Sequence, residues 1–280
     1  LIVLWLQTLF YSVVIMLLFV IFGGAWNVKE SIKALLPLTT TQYWFFSMYF
    51  GMILFSPIMN LFVDKIELKK VIVILVSIVS VFTLLSIING NVFELKGGYS
   101  VLWFIVIYMC GATLNKIQCV YEFDLCKVKG LIFGMLFCTW VSKLLLDYVS
   151  LRLTGEAKFG NILIGYTSPT VFLVSCGLLI IFSNIKCTKL IPFLKVVAPL
   201  TFSAYLIQDN IYIRKYFFTD KFIFLAYQNV FIMTIGIILA AVLCFVIGCL
   251  IDSIRIYIFK KIKLKDRISK FLTKIFLKIV

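Results

Sequence analysis

The chain has 280 residues, of which 63% are hydrophobic and 14% charged, and Lys and Arg outnumber Asp and Glu by 27 to 12. Globular domains average about 45–50% apolar and about 25% charged residues, so this composition excludes soluble, disordered and disulfide-scaffold proteins. The sequence therefore predicts an all-α, polytopic integral membrane protein. Its basic residues fall in short clusters between apolar runs, which indicates contact with anionic membrane lipid and gives no indication of nucleic-acid binding.

Eight apolar segments are predicted to be transmembrane helices, because about 20 mostly apolar residues cross the hydrocarbon core. The fourth and seventh segments are short, and the eighth is long enough to tilt. In chain order the segments cover residues 1–25, 43–63, 71–88, 99–115, 130–150, 168–184, 196–212 and 222–251.

The loops between these segments predict the topology. The even-numbered loops and the C-terminal tail hold 18 of the 27 basic residues, whereas the odd-numbered loops hold 8. By the positive-inside rule, the even-numbered loops and both ends of the chain are predicted to be cytoplasmic. Cysteine usage points the same way, because Cys119, Cys126 and Cys187 fall in even-numbered loops and the odd-numbered loops contain none.

Residues 253–280 are predicted to form a separate, basic amphipathic cytoplasmic tail. Such a helix lies on an anionic inner leaflet, where it acts as an anchor or, alternatively, as a regulatory or partner-binding segment. Its apolar face consists of Leu264, Ile268, Phe271, Leu272, Ile275 and Ile279.

No metal site is predicted. The 280 residues include no histidine, and none of the eight cysteines has C-x-x-C spacing.

Two ionisable residues lie inside the fifth predicted helix. Lys143 and Asp147 are four residues apart, close enough on a helix to pair. Ionisable groups inside a bilayer cost free energy unless they face a partner or a cavity. The pair is thus interpreted either as a structural contact that fixes the rotation of this helix or as part of a polar cavity lining.

Polar and aromatic residues recur at the predicted outer ends of several helices. A glycan would fit such a surface, because sugars stack on aromatic rings and hydrogen-bond to amides and carboxylates; an aromatic belt at the membrane interface is the alternative interpretation. The candidate substrate-binding residues are Tyr43, Trp44, Ser47, Ser100, Trp103 and Arg214, together with Gln208 and Asp209.

Three segments occur in the order YWFFSMYFGMILFSPIMN (43–60), GGYSVLWFIVIYMCGATLNK (97–116) and LTFSAYLIQDNIYIRKYF (200–217). With these segments the chain resembles the acyltransferase-3 family of bacterial membrane O-acyltransferases, and residues 4–18 look like that family's third membrane helix. The resemblance implies transfer of an acyl group, most simply acetyl, from acyl-CoA to a hydroxyl of a cell-surface polysaccharide. It also implies a multi-pass protein of the bacterial plasma (inner) membrane with a cytoplasmic C-terminus and no bound cofactor.

The resemblance is incomplete in two places. The family has ten membrane helices, so residues 1–252 are expected to form an acyltransferase-like domain lacking its first two helices. The family's catalytic Arg and His belong to that stretch and match no position here, so the chain alone is expected to be inactive.

The second departure is Gln208, which stands where the family carries a His near the end of its penultimate helix. Gln208 and Asp209 remain as catalytic candidates, with Lys143 and Asp147 organising the cavity. The alternative function is a non-catalytic transporter or flippase-like protein for a lipid-linked sugar.

Overall fold

The computed structural model describes residues 1–23, 27–186 and 188–262, and these residues are 81% helical with no β-strand among them. The all-α prediction is confirmed. Within the described ranges, seven helices are long and apolar enough to cross a membrane. The chain is therefore a multi-pass membrane protein.

The helices are described by their bounds in chain order. They are α1 (Ile2–Gly23), α2 (Val28–Leu35), α3 (Trp44–Lys65), α4 (Leu68–Ile88), α5 (Val101–Val120), α6 (Leu125–Thr154), α7 (Pro169–Ser183), α8 (Ile191–Gln208), α9 (Ile211–Ile213) and α10 (Val230–Lys261). A π-helical turn over Arg214–Phe218 follows α9, and short 3₁₀ turns occupy Val92–Glu94, Lys96–Gly98, Thr188–Leu190 and Ile223–Tyr227.

All eight predicted segments contain a helix, but the sixth is shorter than a full span. Helix α7 has 15 residues, about 22 Å at 1.5 Å per residue, against a hydrocarbon core of about 30 Å. Its start is fixed by Ser168, whose hydroxyl accepts a hydrogen bond from the amide of Val171, and by Pro169 at the first helical position.

The eighth predicted segment differs at its end. Helix α10 has 32 residues and continues ten residues past the predicted end at 251. Asp252 and Arg255, assigned from sequence to the tail and its border, pair on one face of this helix and are buried. The predicted amphipathic face of the tail, from residue 263 onwards, lies outside the described residues.

Helix α2 was not predicted and lies in the first loop. The Asn27 side chain accepts a hydrogen bond from the amide of Lys29, and Glu30 lies in the first helical turn, where a negative charge favours a helix start.

The fold divides into two compact units. Unit 1 comprises Leu1–Tyr43 and the described residues from 188 onwards, and unit 2 comprises Trp44–Lys186. In unit 1, α8 packs along α10 and against α1. Gly248 of α10 lets the two helices approach closely, because a Cβ at this position would come within 2.8 Å of the Ala204 Cα.

Unit 2 is built from α3 to α7. Helix α3 packs on α5, α6 packs on α7, and α4 contacts both α5 and α7. Its buried cluster is formed by Leu95, Trp103 and Val106, with Phe82 and Phe172 packed against it.

Candidate functional site

The end of α8 in unit 1 gathers several of the residues predicted from sequence. Tyr43 is fully buried, and its hydroxyl accepts a hydrogen bond of 2.9 Å from the side-chain amide of Asn210. Asn210 also begins α9, because its side-chain oxygen accepts from the amide of Tyr212. Gln208 is the last residue of α8 and is partly buried. The structure thus brings Tyr43 to the turn that carries Gln208 and Asp209.

Asp209 carries the ionisable group of this turn. Its carboxylate pairs with the Arg214 guanidinium at 3.3 Å, and its side chain is 17% exposed, whereas that of Arg214 is 66% exposed. Burial raises the pKa of the Asp209 carboxyl above its ordinary value, and hydrogen bonding by Tyr205 together with the Arg214 charge offsets part of that rise in pKa. A carboxylate with a raised pKa is a stronger base than an exposed one.

Tyr43, unlike Asp209, carries a phenol that does not ionise at neutral pH. Burial raises the pKa of its phenol to about 12, although hydrogen bonds with Asn210 and Ser12 act to lower that pKa. The Tyr43 hydroxyl therefore stays protonated at neutral pH and serves as a fixed hydrogen-bonding group.

A buried polar network in unit 1 was missed by the sequence analysis. The Tyr11 hydroxyl donates to Asp252 Oδ1 at 2.7 Å, linking α1 to α10. Arg255 donates to both oxygens of Asp252, from Nε at 2.5 Å and from Nη2 at 3.1 Å. The Gln7 amide donates to the Ser203 hydroxyl, which links α1 to α8. All five side chains are buried.

The sequence does carry a signal for this network. Gln7, Thr8, Tyr11 and Ser12 recur at helical spacing and form one polar stripe on an otherwise apolar α1, and all four are buried. The stripe also contacts the segment before Tyr43, because the Ser12 hydroxyl donates to Gln42 Oε1 at 3.2 Å. Periodicity identifies such a face, but it does not identify the partners, which lie up to 241 residues away.

Unit 2 contains the predicted aromatic residues of α3 and α5. The Trp44 ring lies 4.4 Å from that of Tyr99 and 6.2 Å from that of Tyr166, between centroids. Tyr99 and Tyr166 are exposed. Tyr166 was not singled out from sequence, since only the tertiary structure brings its loop beside Trp44. These three rings form an exposed aromatic cluster.

Ser47, Ser100 and Trp103 have less accessible positions in unit 2. Ser47 is buried in α3. Ser100 begins α5, where its hydroxyl accepts a hydrogen bond from the Trp103 amide at 3.2 Å. Trp103 is 1% exposed and packs in the buried cluster of this unit. The structure therefore gives Ser100 and Trp103 roles in shaping unit 2.

Lys143 and Asp147 form the predicted ion pair, with Lys143 Nζ at 3.6 Å from Asp147 Oδ2. Both also bind the loop that follows α6: Lys143 donates to the Asn161 side chain at 3.1 Å, and Asp147 accepts from the Gly160 amide at 2.9 Å. Of the two interpretations, these contacts favour the structural pair, because both charged groups hold a loop.

Comparison with protein-family models, with curated proteins and with solved structures finds no match to this chain.

Proposed function

We propose that this chain contributes to a membrane O-acyltransferase, which transfers an acyl group, most simply acetyl, from acyl-CoA to a hydroxyl of a cell-surface polysaccharide in a bacterial inner membrane. The observation that carries the proposal is a partly buried carboxylate, Asp209, beside the fixed polar groups of Tyr43 and Asn210 at the end of α8. The ordered resemblance of residues 43–60, 97–116 and 200–217 to acyltransferase segments supports the same reaction.

The proposed step requires a base. The acceptor hydroxyl oxygen attacks the thioester carbonyl carbon, and its proton passes to the Asp209 carboxylate. Collapse of the tetrahedral intermediate breaks the carbon–sulfur bond, and coenzyme A leaves as a thiolate that takes the proton back from Asp209. Positive charge at Arg214, 3.3 Å from Asp209, keeps the carboxylate ionised between turnovers.

Gln208 and the exposed aromatic cluster have separate proposed roles. An amide can donate to and accept from sugar hydroxyls but cannot move a proton, so Gln208 is proposed to position the acceptor. The rings of Trp44, Tyr99 and Tyr166 offer a stacking surface of the kind that binds sugars. Lys143 and Asp147 are proposed to keep the loop beside this surface in place.

The test measures the O-acetyl content of the surface polysaccharide in cells that lack the gene for this chain and in cells where it is restored. Asp209→Asn is expected to lower acetylation at least about 100-fold, because general-base catalysis contributes about 10²–10⁴-fold. Asp64→Asn is the matched control, since Asp64 pairs with Lys116 and is 64% exposed. Equal amounts of each variant in the membrane establish that the loss is catalytic.

The dependence of activity on pH provides a second test of Asp209 as the base. Asp209 is a base only when ionised, so activity should fall as the pH drops through its raised pKa. Asp209→Asn should remove this acidic limb. Acetylation that is unchanged by gene deletion would contradict the proposed reaction.

The alternative, a non-catalytic transporter or flippase-like protein for a lipid-linked sugar, is favoured by one observation. The chain contains no histidine, the most frequent proton-transfer residue in catalysis. Under this alternative, gene deletion leaves acetyl content unchanged while the lipid-linked sugar accumulates on the cytoplasmic side.

A further inference from the structure

Unit 2 contains an apolar cavity between α4, α5 and α7. Its volume is about 360 Å³, within the range of about 300–1,000 Å³ that is typical of small-molecule sites. The wall is formed mainly by aliphatic side chains, one ring and two thiols: Leu75, Val79, Leu114, Phe172, Cys110 and Cys176.

A second cavity of about 170 Å³ adjoins the first toward the start of α5. The two cavities share four lining residues, Cys110, Leu114, Phe172 and Cys176. The second also reaches Trp103. We call the two cavities together the α5 channel, because the same four residues border both.

Two buried polar atoms on the α5 channel have no hydrogen-bond partner among the described residues. They are the indole Nε1 of Trp103, a side chain that is 1% exposed, and the hydroxyl of Thr113, a side chain that is 4% exposed. An indole N–H can only donate, so Trp103 Nε1 is available to donate to an acceptor oxygen of a ligand.

The position of Trp103 at one end of the α5 channel matches the position of the ester carbonyl at one end of a lipid acyl chain. Trp103 is the third residue of α5, and Thr113 lies ten residues further along the helix, roughly 15 Å at 1.5 Å per residue. A donor near the end of a spanning helix lies close to the headgroup boundary, where lipid ester carbonyls are found. The apolar wall then extends toward the middle of the helix, as an acyl chain does.

The α5 channel also opens sideways. Val76 and Ser80 of α4 line its wall and are exposed on the surface of this apolar helix. A ligand can therefore enter from the plane of the membrane.

We propose that the α5 channel binds one acyl chain of a membrane glycerophospholipid, whose ester carbonyl accepts a hydrogen bond from Trp103 Nε1. Thr113 lies beside the chain deeper in the channel. This site is independent of the proposed acyltransferase reaction, because none of its groups acts in that step and its ligand is a structural lipid.

The test uses the full chain, purified in mild detergent and stripped of loosely bound lipid, with bound phospholipid counted by native mass spectrometry. Wild-type protein is expected to retain one diacyl phosphatidylethanolamine per chain. Trp103→Phe removes only the N–H and should weaken binding about fivefold, the effect of one net hydrogen bond. Cys176→Phe fills the junction of the two cavities and should abolish binding.

Two variants of α6 are matched controls. Trp140→Phe and Cys138→Phe make the same substitutions at exposed positions, so both should bind lipid as the wild type does. Helix content and melting temperature establish that every variant is folded.

A second experiment changes the lipid and leaves the protein unmutated. A dialkyl ether phospholipid lacks the ester carbonyl and should bind the wild type about fivefold more weakly than the diacyl lipid, with no further loss in Trp103→Phe. Equal binding of the ester and ether lipids would overturn the contact with Trp103. Wild-type protein that retains no phospholipid, or Cys176→Phe that retains it fully, would overturn the site.

Discussion

The polar contacts between helices differ in burial between the two units of this protein. In unit 1, helices are joined by buried polar contacts between residues far apart in sequence, such as Tyr11 with Asp252. In unit 2, polar contacts between helices are exposed or partly buried, as in the pairs of Tyr108 with Asn60 and Lys116 with Val63, or they bind a nearby loop, as Asp147 does. A polar residue in an apolar helix therefore does not reveal from sequence whether it supports the helix packing or only a loop.

The physical difference between the units is whether water or another group can replace a hydrogen-bonding partner that is lost by mutation. A buried group that loses its partner keeps the full cost of its desolvation, whereas an exposed group is compensated by its surroundings. Mutations of similar residues should therefore have large effects in unit 1 and small effects in unit 2.

The largest effect is expected for Asp252→Ala. This change leaves Arg255, whose side chain is 7% exposed, without its counter-charge. We expect a loss of about 3–5 kcal/mol in the free energy of unfolding, the usual result of removing one partner of a buried pair. Denaturation in detergent micelles, followed by circular dichroism, measures this loss.

Asp147→Ala is the matched change in unit 2. Lys143 and Asp147 are 41% and 31% exposed, so we expect a loss of about 1 kcal/mol or less. The double variant Asp252→Leu with Arg255→Leu should regain most of the stability that Asp252→Ala loses. Similar losses for Asp252→Ala and Asp147→Ala would contradict the contrast between the units.

A smaller, local effect is expected for Gly160→Ala. A Cβ at this position would lie 2.3 Å from the Asp147 carboxylate, so the carboxylate must turn away from the Gly160 amide. We expect faster hydrogen exchange in the loop over residues 156–164, by the equivalent of about 1 kcal/mol, with little change in global unfolding.

Gly165→Ala is the control in the same loop, because its Cβ would meet only the Ile162 carbonyl oxygen, at 4.0 Å. If Gly160→Ala instead unfolds the whole protein, Asp147 supports the helix packing and not only the loop.

The smallest effect concerns two Tyr–Asn hydrogen bonds of equal length, 2.9 Å. The pair of Tyr43 with Asn210 is buried in unit 1, and the pair of Tyr108 with Asn60 is exposed in unit 2. A double-mutant cycle with Tyr→Phe and Asn→Ala should give a coupling energy of about 0.6 kcal/mol for the buried pair, the average for such bonds in membrane proteins. The exposed pair should give a smaller coupling energy, and the reverse order would show that burial does not govern these contacts.

The helices themselves could be predicted because each apolar segment satisfies its own backbone hydrogen bonds. The ends of the helices could not be predicted, and α10 is an example. From sequence, Asp252 and Arg255 were assigned to the border of a charged tail. In the structure they pair within α10, which continues to Lys261.

The candidate site was predicted in part. The residues Gln208, Asp209 and Arg214 are close in sequence, so their association on one turn could be expected. The burial of Tyr43 against Asn210, 167 residues away, could not. Tyr166 and the α5 channel were equally hidden, because loop placement and cavities depend on how helices pack and not on the composition of any one of them.

The sequence by itself determined that this is an all-α protein of the membrane, because apolar segments of that length have no other stable environment. It also determined which residues are polar within those segments. Only the tertiary structure decided which of them find partners, since side chains such as Tyr11 and Asp252 meet only after three helices have packed. The same packing decided which remain without a partner, as Trp103 does among the described residues.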